Sequence, residues 1–180
     1  MKKKSLKAVL SVVLSTIIVF SMSQTVFAAT STDVILSVNK PGAGTVNATS
    51  LNVRANPSTS ADIIGSLSNS TKVMLVARTS SGGTDWYRVL FYKASTGQYL
   101  YGYVSRNYVN ESSLNYYTAV HTAGGNLNMR SGPSTGSDTV VSLANGTVVP
   151  EYDFSGTWSH VLYATREGYL NALYILRTHY

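Results

Sequence analysis

A ten-residue phrase occurs twice in this chain of 180 residues, at residues 51–60 and again at residues 127–136. The first copy reads LNVRANPSTS and the second reads LNMRSGPSTG. The match extends without gaps from Leu51–Thr71 to Leu127–Thr147, where 11 of 21 positions are identical. Because repetition at a fixed spacing indicates one structural unit built more than once, the sequence predicts a tandem duplication.

Further anchors follow each phrase in the same order. Trp86 is matched by Trp158, the pair at residues 102–103 by the pair at residues 168–169 (Gly-Tyr in both), and Tyr108 by Tyr174. The spacing between anchors shortens in the second copy while their order is kept. We therefore place a first domain at residues 45–110 and a second at residues 117–180.

The N-terminus has the pattern of a secretory signal peptide. Four lysines lie within residues 1–7, an apolar run covers Ala8–Phe20, and small residues precede a cleavage position near Ala28. A membrane-spanning helix needs about 20 apolar residues, and Ser21 interrupts this run early. We predict a signal peptide at residues 1–28, removal of which leaves no stable membrane insertion, and a secreted, extracellular or wall-associated protein. A retained anchor is the alternative.

The charge of the chain is concentrated in that leader. The whole chain carries +6, and loss of the four lysines leaves ten basic and eight acidic groups, a net charge of +2. Residues 45–109 hold six basic and two acidic groups, whereas residues 117–180 hold three and four. The first domain is thus compatible with an anionic surface such as teichoic acid, or with a solvated face that has no partner. No nucleic-acid partner is predicted.

The chain has no cysteine, which excludes a thiol nucleophile, a thiolate metal site and disulfides. Each domain must therefore be stabilised by its apolar core. β-Branched and aromatic runs such as Lys72–Ala77, Trp86–Tyr92 and Tyr99–Val104 predict strands. Glycine-containing turns, Asn145-Gly146 above all, separate such runs.

Short strands at this spacing predict an all-β fold of two tandem small barrels. A spacer without a clear hydrophobic pattern is predicted at residues 29–44. Asp33–Val38 is a candidate strand within it. A linker at residues 111–116 is expected to let the two barrels reorient while keeping them close. We expect a monomer.

The anchors together resemble the bacterial SH3-like domain of cell-wall proteins. Copy one supplies Leu51–Ser58, Trp86 and Gly102–Val109, and copy two supplies Leu127–Ser134 and Trp158, with residues 168–175 completing the pattern. The resemblance implies small, partly open SH3-like barrels that bind peptidoglycan or another wall polymer. Copy two departs from the pattern, because residues 159–160 (Ser-His) stand where copy one has Tyr87-Arg88.

The residue patterns that could indicate catalysis have simpler explanations in this sequence. Gly132–Gly136 matches the Gly-x-Ser-x-Gly elbow, which works only where a strand turns into a helix of a large α/β sheet. A turn built by Pro-Ser explains both copies of this segment. The three histidines lack metal-ligand spacing, and Asp62 and Asp138 belong to different repeats. We predict no catalytic residue, metal or cofactor.

All 13 tyrosines lie at or after Tyr87, and such rings suit a shallow platform for peptide or sugar. The residues predicted to line the ligand face are Tyr87, Arg88, Tyr92, Tyr101, Tyr103, Trp158, Tyr163 and Tyr169. The motif residues predicted to brace the first loop are Asn52, Arg54, Pro57, Asn128, Arg130 and Pro133. The leading hypothesis is a non-catalytic wall-binding protein. Its alternatives are an interaction protein that binds an autolysin or host surface molecule, and a wall hydrolase.

Overall fold

The computed structural model describes residues 40–180. The predicted signal peptide, the strand considered at Asp33–Val38 and all of the spacer up to residue 39 lie outside the described residues. Residues 40–180 form strands, loops and two short 3₁₀ turns. No helix in this part of the chain is long and apolar enough to cross a membrane.

The first module is one antiparallel sheet of seven strands in the order β3-β2-β6-β5-β4-β1-β7. A 3₁₀ turn at Arg106–Tyr108 precedes the last strand. The strands are β1 (Gly42–Val46), β2 (Ser50–Arg54), β3 (Ile63–Ser68), β4 (Lys72–Ser81), β5 (Thr84–Lys93), β6 (Gln98–Ser105) and β7 (Val109–Glu111). The sheet curls on itself without closing, since β3 and β7 remain at its two ends.

The second module repeats this order, as β10-β9-β13-β12-β11-β8-β14. Its 3₁₀ turn lies at Ala172–Tyr174. The strands are β8 (Tyr116–Val120), β9 (Leu127–Arg130), β10 (Thr139–Leu143), β11 (Val148–Ser155), β12 (Trp158–Tyr163), β13 (Arg166–Asn171) and β14 (Ile175–His179). The prediction of an all-β fold with two tandem, partly open SH3-like barrels is confirmed.

Each barrel has its own apolar interior. The first is built on the fully buried valines Val53, Val89 and Val104, and the second on Met129, Val161 and Leu170, among others. Alternation along the strands supplies these side chains, because every second residue of a strand faces the same side.

The repeated Gly-Tyr anchor marks a close approach between two strands. A Cβ built on Gly102 would lie 2.4 Å from Cγ1 of Val53, and one on Gly168 would lie 2.7 Å from Cγ of Met129. Only glycine allows β6 to pass β2, and β13 to pass β9, at this distance without moving the core.

The two barrels also pack against each other. Met74 and Leu90 of the first module form one buried cluster with Leu162 and Ala164 of the second. The Met74 amide donates a hydrogen bond of 2.7 Å to the Ala164 carbonyl. The expectation that residues 111–116 let the barrels reorient therefore does not hold in the described residues, because reorientation would expose this cluster to water.

Candidate functional site

Each module carries a groove at the same place in its sheet. The first groove has a volume of about 240 Å³ and the second about 390 Å³. The first groove is lined by Ala48, Ser50, Leu51, Asn52, Arg54, Thr59, Trp86, Ser105 and Tyr108. The second groove is lined by Thr122, Ala123, Gly124, Asn126, Leu127, Asn128, Arg130, Thr135, Trp158, Asn171 and Tyr174.

Most lining residues of the two grooves are repeat equivalents. The loops between residues 46 and 51 and between residues 120 and 127 differ in length. All other lining residues pair at the same spacing as the anchors of the repeat. The pairs are Leu51 with Leu127, Asn52 with Asn128, Arg54 with Arg130, Thr59 with Thr135, Trp86 with Trp158, Ser105 with Asn171 and Tyr108 with Tyr174. The duplication has therefore produced two copies of one site.

The repeated phrase builds one wall of each groove. Leu51 and Val53 are buried, so the intervening Asn52 and the following Arg54 face outward. The Arg54 Nη1 donates a hydrogen bond of 2.7 Å to the Ala61 carbonyl. The predicted bracing role fits this bond, and the same side chain also lines the groove.

The second phrase repeats the arrangement with its own residues. Arg130 Nη1 donates at 2.7 Å to the Ser137 carbonyl, and Asn128 is exposed at the groove wall. Each arginine thereby fixes the loop that carries a lining threonine, Thr59 or Thr135. Of the two motif prolines, Pro57 is buried and Pro133 is exposed.

The segment that matches the Gly-x-Ser-x-Gly pattern is a turn. The Ser134 amide donates 2.8 Å to the Gly132 carbonyl, and the Ser134 Oγ accepts 3.2 Å from the Gly136 amide. Ser58 makes the same two bonds with Asn56 and Ser60, at 2.8 and 3.2 Å. The serine hydroxyl holds its own turn in both copies, as expected for this residue type.

The two tryptophans differ in how far the grooves expose them. Trp86 is 3% exposed, and its Nε1 has no hydrogen-bond partner among the described residues. Trp158 is partly exposed at the equivalent position. The second groove therefore offers more indole surface to a ligand than the first.

A longer loop lines the second groove, which has the larger volume. Val46 and Val120 are equivalent, because each amide donates to the carbonyl of a matching threonine, Thr71 or Thr147. The chain takes five residues from Val46 to Leu51 and seven from Val120 to Leu127. The longer loop contains two consecutive glycines with positive φ, of 136° and 86°, at residues 124 and 125.

An outer strip continues each groove along the sheet. In the first module the strip consists of Arg88, Tyr101 and Tyr103. Arg88 is paired in register with Tyr103, two pairs beyond Trp86 and Ser105. The Arg88 guanidinium lies over the ring of Tyr101, 4.5 Å from its centroid, and Tyr101 is 49% exposed. These three predicted ligand residues lie together beside the first groove.

The strip of the second module has different chemistry. Its ring pair is His160 stacked on Tyr169, with centroids 4.8 Å apart and planes 16° apart. The His160 Nε2 lies 4.0 Å from the Glu167 carboxylate, which also pairs with Lys72 of the first module. Tyr169 thus stands beside the second groove as predicted by the repeat, with a histidine where the first module has an arginine.

Three predicted ligand residues lie elsewhere. Tyr87 is 1% exposed and packs in the first core, so its ring cannot line a ligand face. Tyr92 and Tyr163 lie at the contact between the modules. Tyr92 is covered by Arg166 at 5.0 Å, and Tyr163 packs against Tyr99 at 5.1 Å.

The hydroxyl of Tyr87 ends in a polar cluster at the rim of the first barrel. It donates to the Glu111 carboxylate and accepts a hydrogen bond of 2.9 Å from Arg106 Nε. Arg106 also pairs with Asp85. Hydrogen bonds from Ser80 and Arg78 lower the pKa of Asp85, so this carboxylate stays ionised and engaged.

The second module places a carboxylate inside the barrel instead. Glu151 is 3% exposed, accepts 2.7 Å from Ser159 Oγ and accepts 2.9 Å from Arg177 Nε. The hydrogen bond to Glu151 raises the pKa of Arg177. The Arg177 guanidinium also lies over the Phe154 ring, 4.0 Å from its centroid. This cluster borders a cavity of about 350 Å³.

Sequence reasoning missed several members of the site. Thr59, Ser105 and Tyr108, with their equivalents, were not predicted as ligand residues, and Asn52 and Arg54 were predicted only to brace a loop. For the two tyrosines, Tyr108 and Tyr174, the sequence signal is that both are anchors of the repeat. In the structure they are 50% and 47% exposed. Within residues 40–180 no three His, Asp or Glu side chains gather as a metal site.

The comparisons with solved structures give weak matches. They include NlpC2 and NlpC1 from Trichomonas vaginalis, each 14% identical with a TM-score of 0.34, covering 78% and 77% of this chain and 49% and 46% of theirs. An NlpC/P60 family protein from Bacillus cereus is 10% identical with a TM-score of 0.29, covering 76% of this chain and 56% of its own. The chain thus spans about half the length of these proteins.

No curated protein matches the sequence significantly. The model of one family does match, in two segments that each contain a phrase, a tryptophan and a Gly-Tyr anchor. That family is described as the bacterial SH3 domain, and the matched residues are 49–110 and 125–175. The chain belongs to the bacterial SH3 domain family, with two copies of the domain in tandem.

Proposed function

We propose that this protein is a secreted, non-catalytic binding protein whose two grooves each take a segment of peptidoglycan peptide. The observation that carries the proposal is the pair of equivalent grooves, built from matching residues in both copies of the domain. Retention of asparagine, arginine, threonine, tryptophan and tyrosine at the same places in both copies points to one kind of ligand.

The lining has the mixture of groups that a peptide needs. An amide from Asn52 or Asn128 pairs with a peptide bond, which carries both a donor and an acceptor. The rings of Tyr108 and Tyr174 present apolar faces with a hydroxyl at the tip, so they suit small side chains beside polar backbone. The lining side chains thus supply groups for binding and orientation.

Two sites on one chain also suit a repetitive polymer. Once one groove has bound, the other is held near the next repeat at raised effective concentration, so weak sites give firm attachment. The apolar contact between the modules fixes the spacing of the two grooves, which limits the polymer segments that can fill both at once.

Co-sedimentation with purified peptidoglycan sacculi tests the proposal. We expect the protein to sediment with sacculi at moderate salt, and the double variant Tyr108→Ala/Tyr174→Ala to lose at least about ten-fold in apparent affinity, from two lost ring contacts. Ile63→Ala is the matched control, because Ile63 is 56% exposed and lies outside both grooves. Retention of binding by the double variant would place the ligand elsewhere.

Turbidity of the same suspension tests the non-catalytic part. Wall hydrolysis lowers the turbidity of sacculi over time, whereas binding alone does not. A fall in turbidity that requires the purified protein would contradict this part of the proposal and leave the binding result standing.

A further inference from the structure

We propose that Arg88 is a specificity residue of the first groove, binding a carboxylate of the ligand that the second groove does not select. This inference rests on the proposed function, and it adds the chemical class of one ligand group. The evidence is the position of Arg88, its free charge, and the residue that replaces it in the second module.

Arg88 differs from the other arginines of the described chain in its partners. Arg78, Arg106 and Arg177 form ion pairs with carboxylates, and Arg54, Arg130 and Arg166 donate to backbone carbonyls. Arg88 forms no ion pair among residues 40–180, and its guanidinium rests on the exposed ring of Tyr101. A guanidinium held by an aromatic face keeps its planar set of donors available to a bidentate anion.

The position of Arg88 suits the end of a ligand in the first groove. Arg88 follows Trp86 by two residues on the same face of β5, which is a step of about 7 Å along the strand. Register pairing places Tyr103 next to Arg88 on one side and next to Arg54 on the other. A chain that crosses Trp86 therefore reaches Arg88 within about two residues of extended peptide.

The charge of the surroundings favours an anion at this place. None of the residues lining the first groove is acidic. Of the carboxylates in the first module, Asp85 pairs with Arg78 and Arg106, and Glu111 pairs with Arg106. Asp62 lies in the loop between β2 and β3, outside the lining. An anionic ligand group thus meets a cation whose charge no carboxylate of residues 40–180 offsets.

The second module reverses this arrangement at the equivalent position. His160 replaces Arg88, its ring is stacked on Tyr169, and the Glu167 carboxylate lies 4.0 Å away. A ligand carboxylate placed there finds no guanidinium fork, and the nearby Glu167 carboxylate is already paired with Lys72. The duplicated site has therefore diverged in charge: among the described residues the first copy has a cation without a carboxylate partner beside its groove, and the second copy has a histidine at that place.

Titration calorimetry with soluble muropeptides tests this inference. The probes are muropeptides released from purified sacculi, used with free carboxyl groups and after amidation of those groups. In a Tyr174→Ala background, which weakens the second groove, we expect Arg88→Gln to lose about ten-fold in affinity for the free-carboxyl probe, the scale of one charge-assisted hydrogen-bonded pair. For the amidated probe the loss should stay within about two-fold, since no anion is present.

Two further variants separate charge from shape. Arg88→Lys should recover part of the affinity, because a lysine keeps the charge and lacks the bidentate fork. His160→Gln, in a Tyr108→Ala background, is the matched control, and it should change the affinities for the two probes equally. Thermal unfolding of each variant checks that the fold is retained.

The outcomes are distinguishable. If neither probe binds the unmodified protein, the proposed function fails. If both probes bind the Tyr174→Ala variant equally well, or if Arg88→Gln in that background weakens both by the same factor, the wall-peptide function stands and the carboxylate assignment is overturned. Arg88-dependent binding of purified teichoic acid without discrimination between the two peptide probes would also overturn it, in favour of a phosphate.

Discussion

The two modules fill equivalent core positions with different residues, and their last strands carry opposite charges there. In the first, the ring of Tyr87 fills the core and its hydroxyl reaches Glu111 on β7. In the second, Ser159 takes the place of Tyr87, and Arg177 takes the place of Glu111 on β14. The carboxylate has moved inside the barrel, to Glu151 on β11, where the first module has Leu75.

These differences show that the residues at the three equivalent positions depend on one another. An arginine on the last strand needs a carboxylate partner, and a carboxylate at the position of Leu75 is tolerated only if its charge is paired and its oxygens accept hydrogen bonds. Ser159 and Arg177 meet both needs. Duplicated barrels can thus diverge inside the core when several residues change together.

The largest expected effect comes from removing Arg177. In Arg177→Met the buried Glu151 carboxylate loses its cation, and we expect the free energy of unfolding to fall by about 3 kcal/mol. Urea denaturation followed by circular dichroism measures it. The counterpart in the first module, Arg106→Met, should cost at most about 1 kcal/mol, because its carboxylate partners are largely exposed.

A second variant tests whether the apolar residue of the first module can replace the buried ion pair of the second. Adding Glu151→Leu to Arg177→Met removes the buried charge and reproduces the apolar side chain of Leu75. The double variant should then be more stable than Arg177→Met alone. A double variant no more stable than the single one would break the comparison.

The next largest effect concerns the contact that joins the modules. Leu162 is fully buried in the shared cluster, and Leu162→Ala should cost about 2–4 kcal/mol. Because the loss falls between the barrels, the variant should unfold in two separate calorimetric transitions. Leu173→Ala is the control, since Leu173 is 79% exposed and should change stability by less than about 0.5 kcal/mol. A single, unshifted transition in Leu162→Ala would contradict the packed arrangement.

A smaller effect is expected at the equivalent turns before β4 and β11. Ser70 has a φ of 64°, and the second module has Gly146 at this place with a φ of 82°. Since a side chain in the left-handed region costs about 1 kcal/mol, Ser70→Gly should stabilise the protein and Gly146→Ser should destabilise it. Opposite shifts of the thermal midpoint check the pair. Shifts of the same sign would show that the turns are not equivalent.

The smallest effect is a loss of stability at alkaline pH that belongs to the second module. Burial raises the pKa of Tyr180 to about 12 and also raises that of Tyr163. A raised folded-state pKa means that the neutral phenol is preferred in the folded protein. Its contribution is complete below pH of about 10 and is lost as the pH rises toward 12.

Tyr180→Phe separates this contribution from general alkaline unfolding. The Tyr180 hydroxyl donates to the Pro41 carbonyl, so the variant should be slightly less stable at neutral pH. Its stability should also fall less steeply between pH 10 and 12. Equal slopes for the variant and the unmodified protein would show that Tyr180 does not contribute to the loss.

The sequence predicts most of the fold because the repeat anchors have direct physical causes. The Gly-Tyr pair is needed where β6 passes within contact distance of Val53, and the arginine of each phrase fixes its own loop. Such local requirements are visible in the residues themselves. The prediction that the Pro-Ser segment forms a turn likewise follows from its own residue types.

The placement of the tyrosines was less predictable because β5 is buried on both faces. Val89 faces its own core and Leu90 faces the second module, so the alternation that separates inside from outside disappears. Tyr87 was therefore predicted on the wrong face. Tyr92 contacts Arg166, which lies far along the chain, and no local sequence pattern predicts such a contact.

The position of the two tryptophans has a practical consequence. The whole chain contains two, and each lies in a different groove. Trp86 is buried and should emit at shorter wavelength than Trp158, which is partly in contact with water. One fluorescence titration without any label can thus report which copy of the site fills first.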